Sequence, residues 1–496
     1  MKRILLFFIL HSSFFTLHSS LFTLLAQNTP PAPVGPLPLP KQVEWQKMET
    51  YAFVHYGLNT FTDKEWGYGD ADPKTFNPSR MDVEQWVRTF KQAGMKGVII
   101  VAKHHDGFTM WPSPLTDYNI TRSAYNGPKN KDGKVDVLAE LRKACNKYGL
   151  KMGVYLSPWD RNHAEYGRQA YVDYYHKQLT DLVTNYGPLF EVWLDGANGG
   201  DGYYGGARET RKIDRRNYYN FPKIHSIIEE HQPQAIIFSD GGPGCRWVGN
   251  ERGEAGTTNW AFVRKNDVYP GYDKHQELES GHINGDAWVA AECDVSIRPG
   301  WFYHPEEDSN VKTPEQLADL YYKSVGRNAT FLLNFPVDRE GRVNAIDSAN
   351  AVRFRQIIEE DMKTNLLRKA KVTASNERGK KFSAKKLNDG KWDTYWATPD
   401  GENTGSVTFS FGKPTKVNRL LLQEYIPLGQ RVKAFTVETL VGDKWQMVDA
   451  GEPTTTIGYK RILRFPTIEA SAVRISVSDA RGPLCINNIE AYFVNR

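Results

Sequence analysis

Phe190-Glu191-Val192-Trp193-Leu194-Asp195-Gly196-Ala197-Asn198-Gly199-Gly200 carries an apolar run into a carboxylate and then into a glycine-rich turn. A strand buried on both faces reads as a continuous apolar run. In a parallel barrel the carboxyl end of such a strand delivers polar groups to the mouth. An Asp in this place also caps helices and opens turns, so the segment alone leaves both readings standing. The pattern repeats on either side of it. Residues 51–56, 96–102, 151–156, 235–238, 288–291 and 330–333 read as further strands. Between them Val83, Trp86, Val87 and Phe90 recur at helical spacing, as do Leu138, Leu141, Cys145 and Tyr148, and then Val172, Tyr175, Leu179, Leu182 and Tyr186. Gly94, Gly149 and Gly187 stop these helices. About seven or eight strand–helix units predict an α/β fold, a closed (β/α)8-like barrel over residues 41–366. No G-x-G-x-x-G follows the first strand, which weakens a dinucleotide-binding reading.

The rhythm changes near residue 367. Val407-Thr408-Phe409-Ser410-Phe411 alternates with period two, and residues 419–422, 434–438 and 473–477 are also strand-like. Residues 367–496 therefore read as an all-β sandwich. At the other end, Met1-Lys2-Arg3 is a short basic start, residues 4–26 are apolar and broken only by Ser, Thr and His, and a proline-rich lead occupies 27–40. This reads as a signal peptide over 1–26 and places the protein outside the cytoplasm, secreted or periplasmic. The interrupted apolar run argues against a membrane anchor. A net charge of +5 on 496 residues gives no argument for nucleic acid. Four scattered cysteines, Cys145, Cys245, Cys293 and Cys485, match no zinc spacing and make no disulfide framework.

Strand ends of a barrel are where chemistry sits, so the polar residues there form the candidate site. They are His55, then His104 and His105, then Tyr155, Ser157, Trp159 and Asp160, then Asp195, Asp240, Glu292, Asp294, Arg298 and Asn334. Histidines, acids and aromatics on one rim suit a polyhydroxylated ligand, rings covering a sugar face and polar groups binding its hydroxyls. A metal held by His104 and His105 is disfavoured, because adjacent strand residues point to opposite faces. Glycoside cleavage needs two carboxyl groups. Asp195 is the first. Glu251, on a glycine-flanked loop read as following the fifth strand, is preferred for the second, with Glu292 and Glu254 as rivals. No metal or cofactor is expected in the catalytic site.

The stretches Phe53-Val54-His55-Tyr56-Gly57, Lys103-His104-His105-Asp106-Gly107-Phe108, Trp111-Pro112-Ser113, Trp193-Leu194-Asp195-Gly196 and Arg298-Pro299-Gly300-Trp301-Phe302-Tyr303 together resemble the α-L-fucosidases of glycoside hydrolase family 29. The resemblance implies a retaining exo-α-L-fucosidase with a covalent fucosyl-enzyme. It makes Asp195 the nucleophile and Glu251 the acid/base, and it implies a carboxyl separation of about 5–5.5 Å. It makes His55, His104 and His105 binders of the fucose hydroxyls and Glu65 and Trp66 pocket residues; Tyr155 and Trp159 from the third strand end, and Trp301 from the stretch 298–303, are expected to bind the sugar beside them. Gly249-Asn250-Glu251 and the stretch 298–303 resemble the branch acting on α-1,3/1,4-linked fucose of branched glycans, so fucosylated oligosaccharides or glycoconjugates are the expected partners. A galactoside-cleaving enzyme and a non-catalytic glycan-binding protein are the alternatives. The tail, through residues 370–375, Leu387-Asn388-Asp389-Gly390 and Asp393-Thr394-Tyr395-Trp396, resembles a discoidin-like (F5/8 type C) domain. Modules of that kind often hold a structural calcium near the Asp-Gly turn.

Overall fold

The computed structural model describes residues 29–495, so the signal segment read at 1–26 lies outside the described residues. The chain forms two compact units. One is Pro38–Met362; the other joins the chain from Lys363 onward to the described residues 29–37.

In the first unit eight parallel strands close a barrel: β1 (Thr50–Val54), β2 (Gly97–Lys103), β3 (Lys151–Leu156), β4 (Glu191–Trp193), β5 (Ile236–Ser239), β6 (Cys245–Trp247), β7 (Ala290–Ser296) and β8 (Ala329–Asn334). Each strand pairs with its neighbour in the chain, and β8 closes on β1 with Phe53 opposite Asn334. Helices α1 (Val83–Gln92), α2 (Val137–Tyr148), α3 (Gln169–Asn185), α4 (Phe221–His231), α5 (Pro314–Lys323) and α6 (Ala345–Asp361) complete the main crossovers. The side chains of Asp82 and Asp136 cap α1 and α2 by accepting from the amides of Gln85 and Ala139. Gly149 ends α2 at φ 70°, a conformation glycine adopts without penalty.

The strand count was legible, but the sixth strand was not. Residues 245–247 read as part of a loop, whereas they form β6, parallel to β5 with Cys245 opposite Phe238. Only residues 240–244 separate the two strands, and the Gly244 amide returns to the Ile237 carbonyl at 2.9 Å. A parallel connection ordinarily takes a dozen residues or more and a helix, so no periodic signal marks this one. Glu251 therefore follows the sixth barrel strand, not the fifth. The strand read at 288–291 also shifts: Ala287–Trp288 pairs antiparallel with Phe262–Val263, and the barrel strand is β7.

Inward-facing residues stack in layers, as the two-residue period of a strand requires. Tyr51, Glu191, Cys245 and Glu292 form a polar lower layer. Trp45 Nε1 donates to Glu191 at 2.8 Å, Trp193 Nε1 donates to Glu292 at 2.7 Å, and the Tyr51 hydroxyl donates to the other oxygen of Glu292. Phe53, Tyr155, Trp193 and Phe238 lie above it, with Trp193 stacked on Phe238 at 3.9 Å and on Tyr155 at 5.2 Å.

The second unit is an antiparallel β domain built on two long strands, Gly405–Glu424 and Arg461–Ala480, paired along most of their length with register shifts near Ser410 and Val417. Trp396, Phe409, Leu420, Phe435, Leu463 and Ile475 contribute to its core. The proline-rich segment is tied to this unit: Val34 N donates to Leu428 O at 3.0 Å, and the guanidinium groups of Arg431 and Arg481 donate to the carbonyls of Ala32 and Gly35. At the Asp389-Gly390 turn, both Asp389 oxygens accept from Thr394 Oγ1 at 2.8–2.9 Å and one accepts from the Lys391 amide. Asp389 and Thr394 supply side-chain oxygens at this turn, fewer than the six to eight that calcium takes. All four cysteines are buried and free. No helix among the described residues is long and apolar enough to cross a membrane.

Candidate active site

A cavity of about 310 Å³ opens at the carboxyl ends of the barrel strands, a size suited to one sugar ring with room at the mouth. His55, Trp66, His104, His105, Tyr155, Asp195, Glu251 and Trp301 all line it. These residues come from four strand ends and three loops, and the fold alone brings them together.

Asp195 lies two residues beyond Trp193, the last residue of β4, and is half-buried. Its Oδ1 accepts from the Ala197 amide at 2.6 Å and its Oδ2 from the Tyr155 hydroxyl at 2.9 Å, with His105 Nε2 at 3.9 Å. Burial holds the Tyr155 phenol well above its ordinary value, with the Asp195 charge acting in the same direction. Tyr155 thus stays a donor over any working pH.

The three histidines are neutral donors and acceptors. Burial lowers His55 to about 3 and His105 to about 4, and pushes His104 well below its usual value. His55 Nδ1 donates to Asn334 Oδ1 at 2.8 Å, which leaves Nε2 as an acceptor. Ser157 Oγ donates to Trp159 O and accepts from His105 Nδ1 at 2.7 Å, which leaves His105 Nε2 as an acceptor facing Asp195. The sequence reading separated His104 from His105 on opposite faces. Instead both rings face the cavity, 4.1 Å apart, because β2 ends at Lys103 and strand alternation no longer governs them.

Glu251 sits on the rim in the loop after β6. Gly249 in that loop adopts φ 91° and packs against the His275 carbonyl where a Cβ would collide, so only glycine fits. Asn250 stitches the loop by donating to Glu254 O at 2.9 Å and Glu279 at 3.0 Å. The Trp301 indole donates to Glu251 Oε2 at 3.1 Å. The protein packed around the Glu251 carboxyl raises it above its ordinary 4.5; the Asp195 and Glu65 charges push the same way and the Trp301 hydrogen bond opposes them.

Of the residues expected to be catalytic or sugar-binding, Glu292, Glu254, Trp159 and Glu65 lie outside the cavity lining, as do Ser157, Asp160, Arg298 and Asn334 of the strand-end set. Glu292 is wholly buried in the layer beneath, where Tyr51 and Trp193 occupy its oxygens. The sequence places it at a strand end, but β7 continues to Ser296, so Asp294 reaches the cavity in its place. Glu254 pairs with Lys323 at 2.9 Å. Trp159 backs the wall, edge-on to Trp66 at 5.6 Å and tilted against His105 at 5.2 Å. Glu65 spends one oxygen on the Trp301 amide at 2.9 Å and the other on the Phe302 amide at 3.1 Å and on His304. It holds the loop that carries Trp301.

The cavity also contains residues that sequence reasoning did not single out: Phe53, Trp193, Phe238, Trp247, Asn198, Arg215 and His275. Phe53, Trp193 and Trp247 share the inward register of their strands, a signal available once each strand is placed. Arg215 and His275 come from loops with no period to announce them. Asp240 and Asp294, both recognised as strand-end acids, line the wall as buried carboxyls: burial raises Asp240 to about 7 and lifts Asp294 well above its usual range.

A family model described as alpha-L-fucosidase matches residues 34–356, and one described as F5/8 type C domain matches residues 371–490. The chain is 40% identical over 469 residues to Alpha-L-fucosidase 1 of Arabidopsis thaliana, covering 93% of this chain and 88% of the plant protein. Among solved structures, a glycoside hydrolase 29 family member from an unknown rumen bacterium is 45% identical with a TM-score of 0.83, covering 94% of this chain and 78% of that one. A Ruminococcus gnavus family 29 fucosidase solved in complex with fucose is 33% identical with a TM-score of 0.84, covering 94% and 97%.

Proposed function

The chain belongs to the alpha-L-fucosidase family, glycoside hydrolase family 29, and on that premise we propose that it releases terminal α-1,3/1,4-linked L-fucose from branched glycans with retention of configuration. In this reading Asp195 attacks the anomeric carbon as the glycosidic bond breaks, and Glu251 gives its proton to the departing oxygen. Glu251 then takes a proton from water, water attacks the anomeric carbon, and the Asp195 ester is released as carboxylate. The observation that carries the reading is the contrast between two carboxyls on one cavity: Asp195 is fixed by two donors, the Tyr155 hydroxyl and the Ala197 amide, just past the end of a barrel strand, while Glu251 sits on a loop whose packing favours its protonated form. Acid/base work asks for that asymmetry.

The neutral histidines suit a sugar, since each offers a ring nitrogen to a hydroxyl without the cost of a buried charge. Trp66 and Trp301 supply apolar faces for the ring and its methyl group. The outer wall, with Arg215, Trp247 and His275, leaves space for the sugars to which fucose is attached. Export is proposed from the basic start and apolar run of residues 1–26.

Hydrolysis of Lewis a and Lewis x trisaccharides beside 2′-fucosyllactose, followed by NMR, tests linkage and stereochemistry together. Cleavage of the first two with α-fucose as the initial product is expected. Preference for 2′-fucosyllactose overturns the linkage, and β-fucose as the first product overturns the mechanism. Asp195→Ala should abolish turnover. Glu251→Ala should lose far more kcat/KM on a trisaccharide than on fucosyl fluoride, whose leaving group needs no proton.

A further inference from the structure

We propose that His304 is a positioning residue for Glu251, acting through Glu65 and the loop that carries Trp301; this rests on the assignment of Glu251 as acid/base. His304 lies between two carboxylates. Its Nδ1 is 2.9 Å from Asp63 Oδ1 and its Nε2 is 2.8 Å from Glu65 Oε1. Ionised carboxylates only accept, so both ring nitrogens must donate, and the ring in this arrangement is an imidazolium. With both nitrogens protonated, the ring has no lone pair for a cation.

The consequence runs outward in three contacts. Glu65, fixed by His304, accepts from the amides of Trp301 and Phe302. Those bonds set the loop, and Asn334 Nδ2 holds it from the other side through the Trp301 carbonyl at 2.9 Å. The indole of Trp301 then packs against His55 at 5.1 Å and donates to Glu251. Other charged groups facing this cluster are Glu306 and Glu307, and Arg339, which bonds Asp63 at 3.1 Å. Without the imidazolium, Asp63 keeps Arg339 as its partner, but Glu65 loses the donor that keeps it under the loop.

The test uses the full-length enzyme, a Lewis-type trisaccharide and fucosyl fluoride. His304→Ala should lower kcat/KM on the trisaccharide about tenfold more than on the fluoride, a fraction of the 10²–10⁴ that a general acid supplies. In a Glu251→Ala background the same substitution should add no selective loss. The alkaline limb of kcat/KM on the trisaccharide should move to lower pH, because burial is the larger influence on Glu251 and a loosened loop admits water. His304→Gln, which fills the space but can donate from one end only, should lie between wild type and His304→Ala. Equal losses on both substrates with Glu251→Ala still selective would overturn this proposal alone. Equal losses for Glu251→Ala itself would remove the acid assignment and the proposal with it.

Discussion

Tyr155→Phe isolates one hydrogen bond at the reacting carboxylate. The phenol donates to Asp195 Oδ2 at 2.9 Å, and the ring stacks on Trp193 at 5.2 Å and 24°. Phenylalanine keeps the stack and deletes only the donor. The nearest remaining partner of Oδ2 is His105 Nε2 at 3.9 Å, beyond hydrogen-bond range. The two chemical steps feel this loss differently. In the first, Asp195 gives up negative charge to the sugar, so losing a donor costs little. In the second, the ester breaks and charge returns to Asp195, so the missing donor raises the barrier. A hydrogen bond to a charged group is worth about 1.5–3 kcal/mol. At about 1.4 kcal/mol per tenfold, the second step should slow by about 10- to 150-fold. Pre-steady-state kinetics with fucosyl fluoride should show a burst of fluoride, followed by slow turnover, with kcat/KM nearly unchanged. Peptide mapping of the quenched burst should find the sugar on Asp195. If kcat and kcat/KM fall together with no burst, the hydrogen bond acts on binding or on the first step, and the reasoning fails.

Three further outcomes follow from the geometry. Arg298 and Asp347 are wholly buried and joined by two bonds of 2.9 Å, so Arg298→Met should destabilise the barrel unit by about 3–5 kcal/mol, with Asp347→Leu added to it recovering most of the loss in thermal unfolding. Because burial raises Glu251 above 4.5, the proton it donates persists above that pH, and the alkaline limb of kcat/KM on a trisaccharide should lie higher than for an exposed glutamate; a limb at or below 4.5 would remove Glu251 from that role. Asp240, raised by burial from 3.8 to about 7, binds its proton more tightly folded than unfolded, so it costs stability progressively as pH rises from about 4 to 7. Asp240→Asn should flatten that slope in urea titrations, and an unchanged slope would contradict it.

The barrel was legible because buried parallel strands and their helices carry different periods, and Asp195 was legible because an acid ends the run. The same rule misplaced Glu292. An acid inside an apolar run marks the mouth only when the strand ends there, and the polar end of β7 was two residues further on, at Asp294 and Ser296. β6 was invisible because residues 240–244 return the chain without a helix. Glu65 shows a different limit. The motif Lys64-Glu65-Trp66-Gly67 puts Trp66 on the cavity, yet the Glu65 carboxylate bonds amides more than 230 positions away in the chain, a pairing that local pattern does not encode.

The acid that failed as a catalytic candidate still bears on the site. Glu191 and Glu292 face each other in the closed lower layer, where two bare carboxylates would repel at high cost. Burial raises Glu191 well above its usual range and Glu292 raises it further, so Glu191 keeps a proton and donates it to Glu292. Glu292, with its charge met by that proton, by Tyr51 and by Trp193 Nε1, fixes the indole plane from below. Trp193 is sandwiched between Phe238 and Tyr155, so its plane sets that of Tyr155, and Tyr155 aims its hydroxyl at Asp195. A leucine in place of Glu292 would fill the volume but leave the indole N–H without a partner in a dry core. The buried acids are therefore best understood as the footing of the carboxylate above them: a polar layer retained in an apolar barrel because the aromatic layer over it must hold one orientation.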